Sequence, residues 1–82
     1  MGAAATNTPD RHREHLARAD RHIAELRSRI SHQLEIVERL RSFGIADEDR
    51  EDLLATLGES LRILQRHREL IREALLGTEA SA

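Results

Sequence analysis

The sequence predicts an all-α fold: an antiparallel two-helix coiled-coil hairpin that would dimerise into a four-helix bundle. Three observations predict it. Along two long segments the apolar residues recur at alternating spacings of three and four, the rhythm of a coiled-coil seam and not of a strand. Helix-ending residues fall between and after these segments, at Gly44 and Gly77. The two seams also overlay when one is reversed: residues whose numbers sum to 94 pair apolar with apolar, as in Val37–Leu57, Ile30–Leu64, Ile23–Ile71 and Ala19–Leu75.

Residues 1–7 are small and polar, with nothing to bury, and read as a disordered tail. Within it Met1-Gly2 and Thr6 formally fit an N-myristoylation pattern, though an ordinary tail explains them as well. The hairpin itself is expected over 8–76. Thr8 suits an N-cap and Pro9 the first helical position, where its missing N–H costs nothing. Helix 1, about 9–43, carries Leu16, Ala19, Ile23, Leu26, Ile30, Gln33, Val37 and Leu40. Gly44 then falls where a left-handed residue closes a helix, with Ile45 placed to touch Leu40 in a Schellman ending.

The turn is expected over 44–47, too short for anything but antiparallel neighbours. Asp47 is a natural N-cap for helix 2, about 48–76, and Glu48 and Asp49 suit its positive end. Its seam is Leu54, Leu57, Leu61, Leu64, Arg68, Ile71 and Leu75. Gly77 is expected to stop it, leaving 77–82 as a second disordered tail. Flanking positions bring Arg41 near Glu51, Asp20 near Arg72, and Leu34 near Gly58, where a glycine would let the backbones approach. Gln33 and the snorkelling Arg68 interrupt the seam and could fix its register.

A single two-helix seam buries little, and domains of this size usually gather more burial elsewhere. Ile36, Phe43, Leu53, Ile63 and Leu70 lie off the seam on one flank of the hairpin, joined by Thr56, Ser60, His67 and Ala74. Large apolar residues sharing a flank read as a partner interface, for a second copy or for another helical protein that completes the bundle.

Composition excludes several functions. The 82 residues include no Cys, and Phe43 supplies all the aromatic content. A disulfide scaffold and a Cys-ligated zinc site are therefore impossible. No apolar run approaches the ~18 residues of a membrane span, and no signal-peptide pattern is present, so a cytoplasmic location without membrane contact is expected. Catalysis needs a pocket with convergent polar groups, and no Gly-rich phosphate loop, nucleophile elbow or HExxH occurs. No catalytic residue, cofactor, metal or small-molecule substrate is expected. His12 and His15 share a face, but His22 should land near Ala74 and His67 near Arg29, which leaves these histidines as solvated surface residues.

Thirteen Arg and no Lys face fifteen acids, for a formal net charge of −2. The distribution is polar. Residues 35–59 around the turn carry eight acids and three Arg, a net −5, whereas 10–34 and 60–76 carry ten Arg and six acids, a net +4. Dipole complementation explains part of this. An anion- or RNA-binding patch of Arg11, Arg13, Arg18 and Arg21 at the open end is the functional alternative.

Three resemblances bear on these readings. A short hairpin with an Asp/Glu-rich turn resembles, in layout, the Rop-type RNA-regulatory four-helix bundles. Ser31-His32-Gln33-Leu34 resembles the start of the H-box of histidine-kinase dimerisation domains, which would make His32 a phospho-acceptor; the Pro and the adjacent acidic residue of that motif are absent. The overall pattern DRHIAEL…LEIVERLRSFG…LLATL…LRILQRHRELI, over roughly 12–76, resembles short helical-hairpin proteins of GC-rich alphaproteobacteria. That last resemblance implies a hairpin and no particular activity. Together the readings point to a non-enzymatic interaction module acting as adaptor, scaffold or small regulator, with RNA binding and His32 phosphotransfer as alternatives.

Overall fold

The computed structural model describes residues 8–81, with only the backbone given for Thr8 and Ser81. The expected N-terminal tail with its formal acylation pattern, and Ala82, lie outside the described residues. Two helices, α1 (Thr8–Ser42) and α2 (Glu48–Ser81), form a helical hairpin, and no strand occurs among the described residues. The body measures 63 × 20 × 15 Å, the dimensions of two long helices lying side by side.

The turn forms as its residues dictate. Gly44 takes φ +77°, a conformation that costs most side chains energy and glycine little. The Ile45 N–H donates to the Leu40 carbonyl at 2.9 Å and the Gly44 N–H to the Arg41 carbonyl at 2.9 Å, the two bonds of a Schellman ending. Asp47 Oδ1 then accepts from the Arg50 N–H at 3.0 Å, capping α2. The Asp47 carbonyl accepts from Glu51 at 3.0 Å, which opens the helical ladder.

The seam residues supply the core. Ala19, Ile23, Leu26 and Val37 of α1, with Leu57 and Leu75 of α2, are the buried apolar residues, and no polar residue among the described ones is buried beside them. The remaining seam members, including Gln33 and Arg68, are half-buried. The core is thin: even Val37, its most enclosed member, keeps 3% of its surface.

Seam residues also meet neighbours a turn away from the partners that sum to 94: Leu64 shares a groove with Leu26, and Ile71 shares one with Ala19. Three expectations need correction.

The first is an ion pair. Asp20 accepts from Arg68 Nε rather than from Arg72, whose Nη1 instead reaches Glu69 at 3.2 Å. Arg68 therefore rests its head on an exposed carboxylate at the edge of the seam, which fits the snorkelling expected of it. The Arg41–Glu51 pair forms as expected, at 2.7 Å.

Gly58 has no packing role. A Cβ built there meets no atom within 4 Å, and Leu34 remains 42% exposed. Gly58 adopts no positive φ, so its flexibility serves nothing in the native state. Gly58→Ala is accordingly expected to raise unfolding stability by about 1 kcal/mol, the helix-propensity difference, as read by urea or thermal melts.

Lastly, α2 does not stop at Gly77. It continues to Ser81, with Thr78 Oγ1 donating to the Ala74 carbonyl at 2.8 Å. Arg13 Nη2 pairs with Glu79 Oε1 at 2.5 Å, tying this last turn to α1. A cross-helix partner thus carries the helix past its glycine, so residues 77–81 are not a tail.

Candidate interaction surface

The coiled-coil rhythm sorts the remaining side chains onto two long sides of the hairpin. On one side α1 presents Arg13, Asp20, Arg27, Leu34 and Arg41, and α2 presents Glu51, Gly58, Gln65, Arg72 and Glu79, each set repeating every seven residues. All three cross-helix ion pairs among the described residues involve this side: Arg13–Glu79, Asp20–Arg68 and Arg41–Glu51. Hydrogen bonding to Asp20, then that carboxylate's charge, holds the Arg68 pKa above its ordinary value; desolvation opposes the shift and Glu69 adds to it. Arg68 therefore stays charged throughout the neutral range. This side is closed by its own charges.

The seam is stitched near the turn as well. Arg50 Nη1 donates to Gln33 Oε1 at 2.8 Å, so both polar interruptions of the seam have partners. Arg50 Nε lies 3.5 Å from Asp47 Oδ2, a charge contact too long to be a hydrogen bond.

The opposite side is different. Here α2 carries a second stripe spaced three and four: Leu53, Thr56, Ser60, Ile63, His67, Leu70 and Ala74. Ser60 is half-buried and the other six are exposed. Leu53, Ile63 and Leu70 show 43%, 65% and 52% of their surface. From α1 the same side receives His15, Arg18, His22, Glu25, Arg29, His32, Ile36, Arg39 and Phe43. Phe43 is 75% exposed at the turn, while Ile36 is half-buried by the hairpin itself. No ion pair crosses between the helices on this side among the described residues.

Histidines cluster at its open end. His15 and His22 of α1 and His67 of α2 line one groove of about 240 Å³, floored by Ala19, Leu64 and Ile71 and edged by Arg18. This corrects the expectation that His67 would lie near Arg29 and His22 near Ala74. No group of three or more His, Cys, Asp or Glu side chains among the described residues is placed to hold a metal ion.

The four arginines of the candidate anion or RNA patch are not brought to one face. At 100° per residue Arg11 and Arg18 share a line along α1, Arg21 lies about 80° away and Arg13 about 160° away, on the ion-paired side. Arg13 is also neutralised by Asp10, at 3.0 Å, and by Glu79. His32 is exposed on the unpaired side. Leu34, Ile45 and Leu76 are further exposed apolar residues, at 42%, 50% and 50%, and lie off the apolar stripe. No described helix is long and apolar enough to cross a membrane. No protein-family model matches the chain, and comparison with curated proteins and with solved structures yields no match.

Proposed function

We propose that this chain is a non-enzymatic interaction module, a helical hairpin that self-associates through its apolar side and serves as an adaptor, scaffold or small regulator. One observation carries the reading: the hairpin closes one side with cross-helix ion pairs and leaves the other with an exposed, regularly spaced apolar stripe. Burying such a stripe gains free energy at roughly 25 cal/mol per Å². A hairpin with so thin a core benefits from that gain more than a larger domain would.

Light scattering across a concentration series tests the reading. The expected mass is about twice the 9.3 kDa of one chain. A mass that stays at one chain at every concentration overturns self-association.

A further inference from the structure

The outer stripe of α2 is nearly self-complementary in size when reversed. Reversed about Ile63, it sets Leu53 against Ala74, Leu70 against Thr56, and His67 against Ser60, with Ile63 against itself. Away from the axis every large side chain meets a smaller one, the arrangement that lets two identical helices interdigitate, and Ile63 meets its own copy. Ile63 also lies close to the middle of α2, which spans Glu48–Ser81. Two hairpins related by an axis there overlap along their whole length.

Charge selects the same arrangement. An antiparallel pair lays the acidic turn half of each copy, net −5, over the Arg-rich open half of the other, net +4. A parallel pair stacks like on like. In the row beside the stripe, Glu59 meets Arg66 of the second copy twice near the axis. Asp52 meets Glu73 only toward the ends, where solvent screens the repulsion. The corresponding stripe of α1, with Arg18, Glu25, Arg29 and Arg39, is too charged to be buried in the same way.

From these features we infer that two copies of this chain pair antiparallel through α2, with Ile63 on the two-fold axis and each turn over the partner's open end. The inference rests on the self-association proposed above and adds its geometry: α2 against α2, with α1 on the outside.

The chain has no cysteine, so engineered pairs report the geometry cleanly. Full-length Leu53→Cys and Ala74→Cys variants, mixed and oxidised, are expected to form a covalent dimer joining one of each. Ile63→Cys alone should form one with itself, and Leu53→Cys alone should not, because a disulfide needs Cα atoms within about 7 Å. Raising NaCl should weaken the non-covalent dimer by screening the end-to-end attraction.

A covalent dimer of Leu53→Cys with itself would overturn the antiparallel geometry. So would a dimer by mass in which Leu53→Cys and Ala74→Cys fail to join. A single-chain mass at all concentrations would instead remove the self-association on which the geometry rests, so the two failures are distinguishable.

Discussion

Val37→Asp is expected to abolish the hairpin. Val37 is the most enclosed of the core residues described, 3% exposed, and no buried polar residue among the described ones could receive a carboxylate. A charge placed there without a partner costs about 3–5 kcal/mol. A two-helix core of this thickness supplies little more than that, since domains this small rarely exceed ~3–5 kcal/mol. Circular dichroism should show most of the helical signal lost and no cooperative melt. Val37→Ala, which removes volume without adding charge, should shift the urea midpoint but keep the transition. If Val37→Asp still melts cooperatively near the native midpoint, the seam is not what holds the helices together.

Gln33 and Arg68 show why the same seam accepts polar groups elsewhere. Neither is fully buried, and each has a partner within reach of its polar end, Arg50 for one and Asp20 for the other. The cost of a polar seam residue is set by what it meets, and Val37 is enclosed where no polar residue among the described ones is buried.

Periodicity made the faces of both helices legible, because a seam of threes and fours fits only one side of an α-helix. The turn was legible for a local reason: Gly44 and Asp47 act through backbone bonds within a few residues. What periodicity leaves open is axial position. A three-and-four seam slid by one turn still meets a seam, and Arg68 and Arg72 sit one turn apart on neighbouring faces, so either could be paired with Asp20 on spacing alone.

The remaining misreadings share this origin in long-range placement. Gly77 reads as a stop until Glu79 is seen to pair with Arg13, and Gly58 reads as a close contact until the space beside it is found open. Of the candidate interface, the stripe on α2 was visible as a second seven-residue repeat. The histidine groove was not, since it forms only where residues of two helices meet in the true register.

The paired substitution Ile63→Glu with Leu70→Glu should then separate association from folding. Both side chains are more than half exposed in the hairpin, at 65% and 52%, so the fold does not rely on them and helicity should persist at least in part. In a dimer they are central: two Glu would face each other at the axis, and two more would press on Thr56 of the opposite copy. Leaving a charge buried and unpaired costs several kcal/mol. Each 1.4 kcal/mol is tenfold in affinity, so association should weaken by roughly a thousandfold or more. Light scattering would report a single chain at concentrations where the native protein is dimeric. Leu34→Glu with Leu76→Glu is the matched control, adding the same charge at two exposed leucines off the stripe. If the control dissociates the dimer as well, general charge and not this stripe governs assembly. If only the control does so, the interface lies on another side of the hairpin.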